Sequence, residues 1–411
     1  MREGYKMTTL GEIPVDWEVV KLGEVSVNYD NLRKPLKSSD RQNMQGLFPY
    51  YGAQGIIDSI NNYIFSGEYL LIAEDGENVK SRKYDIALIA KGQFWVNNHA
   101  HVILNNDKSN LVYLKYYINF MDIKPYVTGL AQPKLNKNAL ENLQISLPPL
   151  PEQQKIAEIL STVDAKIENI SKQIQANKAL KKGMMQRLLS KGIGHSAFKN
   201  SPLGEIPLGW KVVKIEDIAD VTSSKRVHRA DYTNLGIPFF RGKEITQLSK
   251  GEVLDNIVYI KEEKFNELKQ KYGAPLMGDI LISAVGTIGS IYLINNDNDF
   301  YFKDGNLIWL REISNKLNKK YLSQYLKSNV FQKIIDNISS GSSQKALTIV
   351  KFKKLNIPIP NFPEQQKIAE ILSSMDAKIE VLEAKKVQYQ ELKKGLMQQL
   401  LTGKIRVNSY I

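Results

Sequence analysis

Ten consecutive residues of this chain occur twice. Pro151-Glu-Gln-Gln-Lys-Ile-Ala-Glu-Ile-Leu160 returns unchanged 212 positions later, at 363–372. Other segments repeat with it. Leu10-Gly-Glu-Ile-Pro14 recurs at 203–207, 193 positions on, and each copy leads to a tryptophan (Trp17, Trp210) and Val-Val-Lys. Asp164-Ala-Lys-Ile-Glu168 recurs at 376–380, and Leu180-Lys-Lys-Gly183 at 392–395. Identity of this length within one chain means duplication, so the two halves share a fold. The offsets differ by 19 residues, and Gly67-Glu-Tyr-Leu70 matches Gly278-Asp-Ile-Leu281 at an offset of 211. Most of the extra length in the second half therefore falls between about residues 26 and 67 in first-half terms. The middles, 28–127 and 221–339, have little in common. Matched frames imply one partner met twice; unmatched inserts imply two different ligands of one class.

The repeated segments read as helices. Pro151 suits a first helical turn, where its missing N–H is not needed. Apolar residues then follow 4–3 spacing: Ile156, Leu160, Val163, Ile167, Ile170, Ile174, Met184 and Leu188, interrupted by Asn177 and Lys181. The second copy reads Ile368, Leu372, Met375, Ile379, Leu382, Tyr389, Leu396 and Leu400, interrupted by Lys386 and Lys393. This is a coiled-coil seam whose polar positions loosen it and can set register. A helix of about 39 residues spans roughly 58 Å at 1.5 Å per residue, too long to bury its stripe within a small domain. The expected partner is the other copy, in antiparallel fashion, with a globular region at either end of a rod. Packing of each helix on another protein stays open.

The globular regions read as α/β. Strand-like runs are 85–90, 100–104, 279–284, 290–294 and 307–310; helical stretches are 111–121 and 318–337. The plan is therefore 1–150 as a first domain, 151–192 as a first spacer helix, and 193–362 as a second domain. Residues 363–403 form a second spacer helix with a short tail, 404–411.

The formal charge of +13 points to polyanionic partners such as nucleic acid. With no cysteine, disulfides and thiolate metal sites are excluded. No apolar signal core occurs in residues 1–20. The longest uncharged apolar run, the 15 residues 280–294, is broken by Gly286 and Gly289 and reads as strand–turn–strand. A cytoplasmic protein is expected.

Catalytic constellations are not found. There is no Gly-x-x-x-x-Gly-Lys-[Ser/Thr] loop for ATP and no Asn/Asp-Pro-Pro-aromatic tetrapeptide of the kind seen in amino-methyltransferases. His99 and His101 could share a strand face, but the four histidines lack metal-site spacing. Asp75 and Glu77 read as solvated turn residues rather than a nuclease pair, and 286–289 as a turn. No catalytic residue, metal or cofactor is assigned.

The frames resemble the specificity subunits of type I restriction–modification systems. The resemblance is carried by Leu-Gly-Glu-Ile-Pro before Trp, by the Pro-Glu-Gln-Gln-Lys-Ile-Ala-Glu-Ile-Leu helix starts, and by the ends Met184-Met-Gln-Arg-Leu-Leu-Ser-Lys-Gly-Ile-Gly-His195 and Leu396-Met-Gln-Gln-Leu-Leu-Thr-Gly-Lys-Ile-Arg406. It covers the whole chain. It implies two target recognition domains, each reading one half of a split DNA site, separated by two helices forming an antiparallel coiled coil. It further implies docking of two methyltransferase subunits and of motor–nuclease subunits, which would hold S-adenosylmethionine, ATP and magnesium. A self-contained DNA-modifying enzyme and a purely structural scaffold are the alternatives. The missing motifs oppose the first; the unmatched inserts oppose the second.

With DNA as the expected ligand, basic clusters become candidate contacts. Residues 1–150 are charge-balanced, so the DNA face there must be a patch. Its candidates are Arg33, Lys34, Lys37 and Arg41, then Lys80, Arg82 and Lys83. In the second domain Lys225, Arg226, His228 and Arg229 cluster, and Arg241 and Lys243 flank Gly242. Asn97 and Asn98 follow Phe94 and Trp95, and amide side chains can read adenine bidentately. Thr128-Gly129…Gln132-Pro-Lys134-Leu135 matches Ser340-Gly341…Gln344-Lys345…Leu347. Gln132, Lys134, Gln344 and Lys345 are candidate contacts there, with a loop capping the spacer helix as the competing reading.

Overall fold

The computed structural model describes residues 2–129, 132–339 and 346–407. The chain divides into two compact units, 1–172 with 384–411, and 173–383. Each therefore takes one half of each long helix. Those helices are Leu150–Lys191 and Phe362–Leu400.

In the first unit a hairpin, Tyr5–Thr8 with Gly11–Pro14, leads to Glu18–Lys21, which pairs antiparallel with Gln144–Leu147. A six-stranded sheet follows in the spatial order Ser26–Asn28, Ala100–Asn105, Phe65–Ala73, Ala87–Val96, Gln45–Gly52, Gly55–Ile60. Its pairs are antiparallel except Gln45–Gly52 with Ala87–Val96. One face of the sheet packs on the helix Leu111–Phe120 and the first turns of Leu150–Lys191, through Leu70, Ile72, Ile103, Leu114, Ile156 and Leu160. The other face carries an aromatic cluster in which Phe65 and Phe94 stack at 5.5 Å. Alternation along Phe65–Ala73 supplies both faces from one strand.

The second unit repeats the frame. Phe198–Ser201 pairs with Gly204–Pro207, and Lys211–Lys214 with Asn356–Ile359. A four-stranded sheet runs Asp220–Thr222, Leu307–Arg311, Ile280–Ser283, Ile291–Leu293. A second holds Tyr232–Thr233, Val258–Ile260, Ile237–Phe240 and Tyr301–Phe302. Helices Gly242–Ser249 and Glu262–Tyr272 flank the strand Val258–Ile260, within the interval expected to hold the extra residues. The run 280–294 is strand, turn, strand, with positive φ at Gly286 and Gly289. The stretch 318–337, expected as one helix, is two: Lys319–Lys327 and Asn329–Ser339. Ser328 breaks it with extended ψ of 149° and turns its hydroxyl to the N–H of Phe331, capping the next helix.

The duplicated motif is explained by what it bonds. Glu152 accepts the indole N–H of Trp17 at 3.0 Å, and Glu364 that of Trp210 at 3.1 Å. Gln153 accepts the N–H of Asn110 and donates to the carbonyl of Pro148; Gln365 does the same with Asn318 and Pro360. Glu152, Gln153 and Gln365 are all buried, so each of these bonds satisfies a group that water cannot reach. A further side chain meets each carboxylate: the Arg406 guanidinium for Glu152 at 2.9 Å, the His195 imidazole for Glu364 at 2.8 Å. The helix ends that looked alike in sequence thus each deliver a polar partner to the carboxylate at the opposite helix start.

None of the twenty seam positions is exposed. In the first unit Glu152 meets Arg406 and Asp164 meets Lys393, so the helix segments run antiparallel. In the second unit Lys181 meets Asp376, and Leu188 and Ile368 share one core. The lysines that interrupt the apolar seam at 181 and 393 are therefore ion-paired across it.

Candidate nucleic-acid interface

In the first unit four loops meet where Phe65–Ala73 ends and Ala100–Asn105 begins. Arg33 reaches Glu74 at 2.6 Å, Asp30 at 3.3 Å and the carbonyl of Ala100 at 2.9 Å. Asp30 also faces His101 Nδ1 at 2.6 Å, while His101 Nε2 faces the carbonyl of Leu135 at 2.7 Å. Lys134 completes the set with Glu74 at 3.0 Å. Burial pushes Asp30 and Glu74 up, but hydrogen bonds from His101 to Asp30, and from Arg33 and Lys134 to Glu74, bring both below their ordinary values. Ligand atoms of Asp30, Glu74 and His101 lie within 4.8 Å of one another, a spacing open to a metal. Here Arg33 and Lys134 sit on the carboxylates, and both imidazole nitrogens are engaged. The cluster reads as an ion-pair network that fixes the loop 132–135.

Around it, Asn97 is 6% exposed, with its side-chain oxygen bonded to the His99 N–H, while Asn98 and Gln132 face solvent. Gly129 holds φ +85° with the Gln132 carbonyl where a Cβ would stand, so the turn needs glycine. Lys34 is exposed, its carbonyl bonded by the Trp95 indole at 2.6 Å. Lys37 is exposed nearby in sequence, and Arg41 pairs with Asp58 at 2.8 Å over the ring of Tyr50. Arg82 serves the fold instead, donating to the carbonyls of Ile118 and Asn119 and so closing the C-terminus of Leu111–Phe120. Lys80 and Lys83 remain exposed beside it in sequence. The structure brings Arg33, Lys34, Asn97, Asn98 and Lys134 together. It does not join them by contact to the 80–83 cluster.

In the second unit the corresponding strand ends open into two clefts that share Asn306. One, of ≈ 410 Å³, is lined by Arg226, His228, Arg229 and Lys303. The other, of ≈ 550 Å³, is lined by Arg241, Lys243, Thr246, Gln247, Lys250 and Gly286. Six of the Lys and Arg side chains thus converge from loops far apart in sequence. Arg226 contacts Asp304 at 3.6 Å, and Lys243 contacts Asp255 at 3.0 Å, both in exposed geometry where pairing holds them weakly. Arg241 differs, being bound to the fully buried Glu244. Lys225 turns instead onto the ring of Tyr272, 5.1 Å away, beside Arg311. Gln344 and Lys345 lie outside the described residues; Ala346, next in the chain, bridges to Val285, and Leu347 bonds the carbonyl of Ala284. The matching contact in the first unit is Leu135 to Glu74.

Lys303, Lys250 and Asn306 were not among the sequence candidates. Each is an isolated residue in a segment without a basic run, so only folding could place it at the cleft.

The family model for the type I restriction modification DNA specificity domain matches residues 14–178 and again 207–391. The type I restriction enzyme MjaVIII specificity subunit of Methanocaldococcus jannaschii is 31% identical, covering 97% of this chain and 95% of that one. A putative type I restriction enzyme specificity subunit of Haemophilus influenzae is 33% identical over 88% of both chains. Among solved structures, the type I restriction–modification S subunit from M. genitalium has the same fold, with a TM-score of 0.65 at 15% identity, covering 97% of this chain and 99% of that one.

Proposed function

This chain belongs to the type I restriction–modification DNA specificity family, and we propose that the basic strand-end faces of its two units are where it reads DNA. As a member it is a non-catalytic, DNA-binding specificity subunit of a restriction–modification complex. The observation that carries the DNA face is the convergence of Arg226, Arg229, Lys303, Arg241, Lys243 and Lys250 on adjoining clefts at one strand-end face. Two target recognition domains, 1–150 and 193–362, each take one half of a split asymmetric site. The first presents Lys34, Asn98, Gln132 and Lys134, with Lys37 and Arg41 flanking; Lys80 and Lys83 are further phosphate contacts. The second presents its paired clefts; Gln344 and Lys345 remain candidates from the sequence alone.

The duplicated frame supports two copies of one methyltransferase as partners. Leu180 and Leu392, equivalent by the repeat, are 56% and 49% exposed on the long helices, a matched apolar point in each unit. Motor–nuclease subunits join through the assembled complex, and S-adenosylmethionine, ATP and magnesium belong to those partners. Among the described residues no helix is long and apolar enough to cross a membrane, in keeping with a cytoplasmic complex.

The test is salt-dependent binding of the full chain, assembled with its methyltransferase, to duplex DNA. Lys250→Ala with Lys303→Ala should weaken binding to every sequence and flatten the salt slope by about one unit per lysine. Unchanged affinity and slope would place the DNA elsewhere.

A further inference from the structure

We infer that Arg241 reads a guanine in the half-site of the second recognition domain, and that Glu244 is the residue that aims it. The inference rests on the DNA-face reading above and goes on to assign one base to one side chain.

The geometry around Arg241 is unlike that of its basic neighbours. Arg241 precedes the helix Gly242–Ser249, and three of its groups donate to one carboxylate: the backbone N–H at 2.8 Å, Nε at 3.2 Å and Nη2 at 2.6 Å. That carboxylate, Glu244, is 0% exposed, while the Arg241 side chain is 39% exposed in the cleft. A buried carboxylate is held ionised only if it is bonded. Burial pushes Glu244 up, and the Arg241 hydrogen bonds outweigh this and bring it below its usual value. The guanidinium is thereby locked in one orientation before any ligand arrives.

Two of the five N–H donors of the guanidinium are spent on Glu244, both along the Nε–Nη2 edge. The end-on face, with one N–H from each Nη, remains a two-donor fork. A phosphate contact gains from net charge, and the Arg241–Glu244 pair has none to offer. A base edge is neutral and gains from fixed, directed donors. Of the four bases only guanine offers two acceptors, N7 and O6, side by side in the major groove; adenine sets a donor next to its acceptor. Lys243 and Lys250 of the same cleft are held only by exposed carboxylates, Asp255 at 3.0 Å and Glu252 at 3.9 Å, weak pairs that a phosphate can replace. Arg33 makes the opposite case within this chain. It is also paired to buried acids, but Nη1 is taken up by Glu74 and the carbonyl of Ala100, Nε donates to the carbonyl of Asp30, and its side chain is 13% exposed, so it has no end-on fork left.

The experiment selects binders from a pool of random duplexes, using the full chain assembled with its methyltransferase. Wild type should enrich guanine at one position of the second half-site. Arg241→Lys keeps a cation for Glu244 but loses the fork; the double variant Arg241→Gln/Glu244→Gln removes both charges together, so no buried carboxylate is orphaned. In both, preference at that position should fall between about fivefold and a hundredfold, while the other positions and the salt slope hold. Glu244→Gln alone should lower the same preference without a loss of affinity on all sequences, which a purely structural role would not do. Guanine retained in both Arg241 variants, or a uniform loss on all sequences with a flatter slope, overturns the assignment. In that case loss of binding in the Lys250/Lys303 variant would keep the DNA face standing, and its absence would remove that reading as well.

Discussion

The carboxylate of Asp164 lies 2.7 Å from the ammonium of Lys393, across the seam of the two long helices. The repeat carries Asp164 onto Asp376 and Lys181 onto Lys393, and Lys181 and Asp376 form the same pair in the other unit. Tyr116 donates to Asp164 at 2.6 Å; Gln324 donates to Asp376 at 2.8 Å from the equivalent helix. The lysines that break the apolar stripe are fixed points of register, because sliding the helices would break both ion pairs at a half-buried seam.

This predicts an acid-sensitive helix pair. The groups facing Asp164 are Lys393, Lys115 and Tyr116, whose hydroxyl also reaches Ser161. Burial pushes its carboxyl up, but hydrogen bonds from Lys393 and Tyr116 take it below the ordinary carboxylate value. A depressed folded pKa gives stability that is complete above the unfolded value, about 3.9, and is lost as pH falls through the lower folded value. Asp164→Asn should therefore be less stable than wild type at pH 7, with the gap closing below about pH 4. Urea midpoints at the two pH values check this; a constant gap would mean that the ionised form contributes nothing.

Arg406 should matter more than its place near the chain end suggests. It neutralises Glu152, which is 4% exposed, and also holds Asp16 at 2.6 Å. Arg406→Met leaves a buried carboxylate with only neutral partners, which costs about 3–5 kcal/mol. Calorimetry should show the transition of the first unit moving down while that of the second, where His195 serves Glu364, stays in place. A uniform shift of both would contradict the assignment.

Partner number follows from the repeat. Native mass spectrometry should find two methyltransferases per chain. Leu180→Asp and Leu392→Asp should each remove one copy, and the double variant both. A saturating one-to-one complex with the wild-type chain would end the duplicated-frame argument.

The readers should exchange as modules if the cut respects the network. Glu74 bonds Lys134 and His101 bonds the Leu135 carbonyl, so a swap of 28–135 with a relative moves these bonds as a unit, whereas a swap of 28–127 separates Glu74 and His101 from those partners. Methylome sequencing of the 28–135 chimera should show one half-site changed and the other untouched. Change in both halves would rule out independent readers.

The repeat and the 3.5-residue spacing were enough to establish two equivalent frames, two long helices and the seam between them. Periodicity is a local property, and every apolar position it picked out is covered in the fold. The interval of the extra residues was legible for the same reason, since offsets between identical motifs count residues directly. Tertiary structure decided what each polar residue does. Arg33, Arg82 and Lys134 looked like Lys34 and Lys83 in sequence, yet the first three bond buried acids or helix-end carbonyls. Lys303, Lys250 and Asn306 gave no local signal and reach the cleft only through strand ends paired across long stretches of chain. A charged side chain has no preferred period; its role is set by which carboxylate, carbonyl or open face lies within a few ångströms, and that is a property of packing alone.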